Sequence, residues 1–241
     1  MSTESELREH LATCTRILAM EGLLGMFGHV SAYLPEQRRF LLCPGAGSDK
    51  ARVTPGDLFV LDLDGNVLEG KGHVAVEWPI HAALHAARAD ALAVAHLHAH
   101  YTTQFAIARR EFRPVTLQAT LFGEGMPVYM EPDLVTTLEE GRRLAALIGD
   151  RRGALLRGHG CALAARSVEE MLYASLVLED SCHKAVEAAA LGELMTFSPE
   201  ECRIFGTEEG IRGRAALMWR YFSRLESHWD CQPGTGLGPL A

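Results

Sequence analysis

The stretch ALAVAHLHAH, residues 91–100, constrains this chain more than any other. Read as an extended strand, it places Leu92, Val94, His96, His98 and His100 on one face and Ala91, Ala93, Ala95, Leu97 and Ala99 on the other. The alanine face suits close packing. The imidazole face must find partners, because each buried polar group left unpaired costs about 1–3 kcal/mol. The alternation therefore predicts a central strand with chemistry on one side only.

The neighbouring sequence predicts mixed elements. Leu7, Leu11, Thr15, Ile17 and Leu18 stand at near-helical spacing in a segment 4–24 that Gly22 and Gly25 close. Short strands are expected at 30–34, 40–43 and 58–63, separated by the Gly45-Ala46-Gly47-Ser48 loop and the Asp64-Gly65 turn. Ile80, Ala83, Leu84 and Ala87 predict a helix over 77–88; Pro79 fits only its first turn, so Glu77 falls at its start. Helices are expected at 134–148, at 167–190 behind a Ser167/Glu170 capping box, and at 208–229, with strands at 154–156 and 161–164. The Gly- and Pro-rich 231–241 reads as a loose tail behind one domain over 1–230. Strands and helices without regular alternation argue for an α+β layered domain over a Rossmann or barrel fold.

Charge and composition exclude several function classes. A formal charge of −8 with scattered basic residues offers no footprint for nucleic acid. No apolar run reaches the roughly 18–20 residues that span a bilayer, and the N-terminus lacks the order of an export signal, so a cytoplasmic protein is expected. The six cysteines, without C-x-x-C pairing, read as reduced thiols and set zinc-finger-type sites aside.

His96 and His98, two apart on a strand, lie roughly 6.5–7 Å apart along the chain and can both reach one metal ion. His159, flanked by Gly158 and Gly160, is the best third ligand, and three protein ligands leave a coordination position open, as catalytic sites do. The alternative is a hydrogen-bonded His-x-His pair without metal. His100, where the strand should be ending, is placed at the rim or in support of the ligands. His81 and His85, four apart on the Glu77 helix, form either a second cluster with Glu77 or, preferred, a packing and supporting pair.

With Gly28-His29-Val30-Ser31, Glu77-Trp78-Pro79-Ile80-His81, Val94-Ala95-His96-Leu97-His98 and Leu155-Leu156-Arg157-Gly158-His159-Gly160 in that order, the chain resembles the class II aldolase/adducin family over roughly residues 5–195. The resemblance implies a three-layer α/β/α fold with a central, largely antiparallel sheet, and a homo-oligomer, a tetramer first. It also implies one divalent ion on His96, His98 and His159, with zinc ahead of manganese, cobalt or ferrous iron, and Glu77 as acid/base. Those parts suit reactions that pass through an enolate.

Sugar-phosphate members carry Gly-Asn-hydrophobic-Ser, Thr-Gly and a serine pair where this chain has Gly28-His29-Val30-Ser31, Pro44-Gly45 and Ala75-Val76. The chain is more similar to the branch with decarboxylases of hydroxylated aromatic acids. The expected activity is a metal-dependent carbon–carbon lyase on a non-phosphorylated hydroxy or oxo acid, decarboxylase ahead of retro-aldol aldolase. His29, Ser31 and Gln118, with Thr120 beside it, are the expected substrate contacts. A sugar-phosphate aldolase or epimerase, and a metal-free adducin-like interaction module, are the alternatives.

Overall fold

The computed structural model describes residues 3–229; the expected tail at 231–241 lies outside them. Helix α1 (Glu4–Met20) starts from a Thr3/Glu6 capping box. It stops before residue 24 because the amides of Leu23 and Leu24 fold back onto the Leu18 carbonyl, across Gly22 at φ +75°. Strands β1 (His29–Leu34), β2 (Arg39–Leu42), β3 (Phe59–Asp62) and β4 (Val67–Glu69) follow, then α2 (Trp78–Ala87), β5 (Ala93–Leu97) and α3 (His100–Ile107). The rest comprises β6 (Val128–Tyr129), α4 (Leu138–Ile148), β7 (Gly153–Leu156), β8 (Gly160–Ala165), α5 (Val168–Ala188), α6 (Pro199–Phe205) and α7 (Glu208–Ser227).

The strands form one sheet in the order β4-β3-β2-β1-β5-β8-β7-β6, antiparallel throughout except for β6 on β7. Alternation along each strand divides the interior. Val30, Ala32, Leu41, Ala93, Ala95 and Leu163 face a core closed by α1, α3, α5 and α7. Phe40, Leu42, Val94, Ala154 and Ala162 face the opposite side, under α2 and α4. The result is the expected three-layer α+β arrangement, with β5 in the middle of the sheet between β1 and β8.

Two further expected boundaries move. The strand predicted over 91–100 ends at Leu97, and His100 opens α3 instead of continuing the imidazole face. The cause is distant in sequence: the Glu179 carboxylate on α5 accepts the Tyr101 and Thr102 amides at 2.7 and 2.9 Å and the Thr102 hydroxyl at 2.7 Å. A carboxylate on those otherwise unpaired N–H groups favours a helix start. The helix predicted from 134 begins at Leu138, behind a Thr137/Glu140 capping box. Val135 thereby stays outside α4, with its amide available elsewhere.

Cys14, Cys43, Cys161, Cys182 and Cys202 are free and buried, and Cys231 lies outside the described residues. Among the described residues no helix is long and apolar enough to cross a membrane.

Candidate metal centre

On the face of the sheet covered by α2 and α4, four side chains converge. One ligand atom from each of Glu77, His96, His98 and His159 lies within 4.8 Å of the others, and the group can hold a metal ion. His96, fully buried, is set by the register of β5: it pairs with His29 of β1 on one side and Ala162 of β8 on the other. His98 follows one residue after the strand end. His159 sits in the turn between β7 and β8, where Gly158 takes φ +66°. Gly160 allows the two chains to close up: a Cβ there would stand 2.1 Å from the Leu97 carbonyl oxygen.

Glu77 occupies the N-cap position of α2, 5 % exposed. Its Oε1 accepts the Val135 amide at 3.2 Å, a bond that ties the carboxylate to the segment leading into α4. The approach of the two helices depends on Gly141, whose Cβ would meet the Pro79 carbonyl oxygen at 2.5 Å.

The hydrogen bonding favours a cation. His96 Nδ1 donates to the Cys161 carbonyl at 3.0 Å, so Nε2 of the neutral ring is a bare lone pair. That lone pair meets His98 Nε2 at 2.8 Å and Glu77 Oε2 at 3.2 Å, and Glu77 Oε2 lies 3.6 Å from His159 Nε2. The 3.2 Å contact sets two acceptors, the His96 lone pair and the Glu77 carboxylate, against each other, an opposition that a cation between them would relieve. A tetrahedral ion with bonds of about 2.0–2.1 Å spaces its ligands roughly 3.3–3.4 Å apart, and the observed separations fall on either side of that. Burial and the neighbouring rings hold His98 down at about 4, and burial with His96 also lowers His159, leaving both rings as neutral donors of lone pairs. Burial raises the Glu77 carboxyl, but the adjoining His96 and His159 rings and the Val135 amide outweigh it, so Glu77 stays below the usual carboxylate range and is an anion at neutral pH.

His29 belongs to the same neighbourhood: its ring centroid is 5.1 Å from that of His96. Ser31 lies one strand pleat farther from the cluster, 0 % exposed, with its hydroxyl engaged by His81 and His85 at 2.6 and 2.8 Å. Those two rings occupy the hydroxyl that was expected to contact substrate. Gln118 is not brought to the cluster within this chain. It opens a short 3-10 turn over Gln118–Phe122, and its carbonyl lies 3.5 Å from Tyr173 Oη on α5, beside the opposite core. Thr120, in the same turn, is 1 % exposed and donates to the Leu117 carbonyl. His100 is exposed against Gln104 at the start of α3, away from the ligand set. The sequence had not joined His29 to His81; the i, i+2 spacing of His29 and Ser31 opposite the i, i+4 spacing of His81 and His85 was the available signal.

Buried neutral histidines make the fold sensitive to acid. Burial holds His85 at about 4, against 6.5 in an exposed chain, and pushes His29 and His81 well below 6.5. Below pH 6.5 the unfolded chain takes protons that the folded chain refuses, so stability falls as pH drops from 6.5 towards 4, by about 3 kcal/mol for His85 alone. Urea unfolding of the metal-free protein is expected to show lower midpoints at pH 5 than at pH 7.5. His85→Gln should reduce that pH dependence by up to one proton's worth; an unchanged dependence would show that His85 is not buried neutral.

The family described as Class II Aldolase and Adducin N-terminal domain matches residues 9–186. Among curated proteins, the chain is 28 % identical over 240 residues to the 3,4-dihydroxyphthalate decarboxylase of Arthrobacter keyseri, covering 94 % of this chain and 97 % of that protein. It is 29 % identical over 204 residues to Decarboxylase NovR of Streptomyces niveus, covering 83 % and 74 %. Among solved structures, an aldolase II superfamily protein from Pseudomonas syringae shares the fold, with a TM-score of 0.81 at 24 % identity over 95 % of this chain and 94 % of that one.

Proposed function

Because the chain belongs to the class II aldolase and adducin family, we propose that it is a metal-dependent carbon–carbon lyase that decarboxylates a non-phosphorylated hydroxy acid, with hydroxylated aromatic acids as the leading substrate class. The observation that carries this reading is the Glu77 carboxyl group held against three converging imidazoles on a buried sheet face. His96, His98 and His159 would hold the ion, zinc first, with manganese, cobalt or ferrous iron also suited to the donor set. Bound there, a divalent cation supplies Lewis-acid stabilisation of negative charge on substrate oxygens.

The chain's own residues do the rest. Glu77, fixed by Val135 through one oxygen, keeps the other for proton movement. The Glu77 carboxylate first takes the proton of a substrate hydroxyl; when the C–C bond breaks, CO2 leaves, the electron pair stays on the substrate carbon, Glu77 passes that proton to the carbon, and solvent restores the hydroxyl proton. The similarity to two decarboxylases, one of them along nearly its whole length, supports this order of bond breaking over retro-aldol cleavage.

The loop positions bear on the sugar-phosphate alternative. Pro44, Ala75 and Val76 carry no side-chain hydrogen-bond donor, and Lys50 Nζ is saturated by the Pro44 and Gly45 carbonyls and Ser48 Oγ. A phosphate dianion needs several such donors. The reading includes a homo-oligomer, a tetramer first; Leu217, Tyr221 and Leu225 on α7 are exposed apolar side chains suited to a subunit contact.

The test begins with protein purified without a histidine tag or chelator. Elemental mass spectrometry is expected to find about one divalent ion per chain, and the loaded protein to release CO2 from 3,4-dihydroxyphthalate or another hydroxylated aromatic acid. Absence of metal, with no thermal shift on adding zinc, manganese, cobalt or ferrous iron, would move the assignment to an interaction module. Protection against heating by phosphate esters, with no response to hydroxy acids, would move it to sugar-phosphate chemistry.

A further inference from the structure

Between the sheet and α2 runs a file of buried polar groups that the cleavage step does not use. His85 Nδ1 lies 2.6 Å from the Ala91 carbonyl; His85 Nε2 lies 2.8 Å from Ser31 Oγ; Ser31 Oγ lies 2.6 Å from His81 Nδ1; and His81 Nε2 lies 2.6 Å from His29 Nδ1. None of the four side chains is more than 5 % exposed.

The direction of every bond in this file follows from its anchored end. The Ala91 carbonyl can only accept, so His85 Nδ1 carries a hydrogen. A neutral His85, as its burial requires, then offers Nε2 as an acceptor at 2.8 Å, and the one Ser31 hydroxyl proton goes there and not to the Val94 carbonyl at 3.5 Å. With that proton spent, Ser31 Oγ accepts from His81 Nδ1. His81 Nε2 is then a lone pair, and His29 Nδ1 donates to it. The file ends on His29 Nε2, which carries no hydrogen and has no hydrogen-bond partner among the described residues. Lys50 cannot satisfy it, since its three protons already face the Pro44 and Gly45 carbonyls and Ser48 Oγ.

The geometry points to His29 Nε2 as a fixed hydrogen-bond acceptor for a substrate hydroxyl, with His81, Ser31 and His85 as positioning residues that set its tautomer. This rests on the decarboxylase reading and narrows it. The ring of His29 stands beside that of His96, so the group it accepts from neighbours whatever oxygen the cluster holds. The preferred acid therefore carries a free O–H next to its metal-binding oxygen, and an ether or a second carboxylate at that place meets a lone pair with nothing to donate. A packing role alone needs no such order: apolar side chains would fill the space without desolvating three imidazoles.

The test compares zinc-loaded full-length protein with two variants, His29→Leu and Ser31→Ala, using calorimetric binding of 3,4-dihydroxybenzoate and its two monomethyl ethers. Wild type is expected to prefer the free diol over at least one ether by about tenfold or more. His29→Leu should cut that ratio to about twofold or below. Ser31→Ala keeps the His29 ring but breaks the file, and should cut the ratio at least threefold with bound zinc unchanged, which a structural role for Ser31 would not do. Elemental analysis and circular dichroism confirm that each variant holds zinc and fold; each variant bears on the proposal independently. A wild-type ratio near one, or a ratio that survives the substitutions, overturns this inference and leaves the decarboxylase reading in place. Failure of wild type to bind any of the three acids overturns that reading itself, and the inference with it.

Discussion

Glu77→Gln is expected to keep its metal and its fold while losing about 10²–10⁴-fold in turnover. Glutamine preserves the size of the side chain at the N-cap of α2, and its amide oxygen can still accept the Val135 amide that now binds Oε1 at 3.2 Å. What disappears is the ionisable oxygen at 3.2 Å from His96 Nε2 and 3.6 Å from His159 Nε2. A positioned proton donor or acceptor contributes factors of that size to a step in which carbon must be reprotonated. Three imidazoles remain to hold the ion, so metal content should stay near one per chain. CO2 release from the best hydroxylated acid, measured beside elemental analysis of the same sample, checks both halves. Normal turnover in the variant would remove Glu77 from the acid/base role.

His96→Ala is expected to abolish metal binding and activity together. His96 is the fully buried member of the set, aligned by β-sheet register between His29 and Ala162 and oriented by its Nδ1 bond to the Cys161 carbonyl. Losing only a supporting partner of a metal-bound histidine typically weakens binding 10–100-fold; losing the ligand itself should exceed that. After dialysis the variant should carry almost no ion. Zinc at 100 times the wild-type dissociation constant would stabilise wild type by about 2.7 kcal/mol, seen as a rise in unfolding temperature, and should leave the variant unmoved. A variant that retained the ion and lost only turnover would show that His98, His159 and Glu77 hold it without His96.

Much of this site was legible because it uses short-range periodicities. Val94 and His96 share a strand face by the period of two, and Glu77 falls at a helix start because Pro79 fits only a first turn. The glycines around His159 indicated a sharp turn, which the φ of +66° at Gly158 and the close approach at Gly160 explain. The place where β5 ends was not legible. The residues 98–100 continue the alternation, but Glu179, 78 residues after Tyr101, draws the chain into α3 by accepting its first amides. His98 consequently reaches the cluster from beyond the strand, and His100 turns away to solvent. Likewise, nothing near Gln118 in sequence reveals that its turn packs beside α5, on the opposite side of the sheet from the histidines.

The sequence by itself determined the layered α+β class, the alternating strand, the three candidate imidazole ligands and a glutamate at a helix start, because strand and helix periods, capping and glycine turns act over a few residues; only the family resemblance set that glutamate beside the histidines. Only the tertiary structure decided which histidines meet. Register between β1, β5 and β8 sets His29 beside His96, and α2 lays His81 and His85 over Ser31. The direction of the hydrogen bonds in that file was settled by one backbone carbonyl at Ala91. Such partners are fixed by packing across the chain, where a buried polar group must be satisfied by whatever the fold brings within about 3 Å, and spacing along the sequence carries no record of that distance.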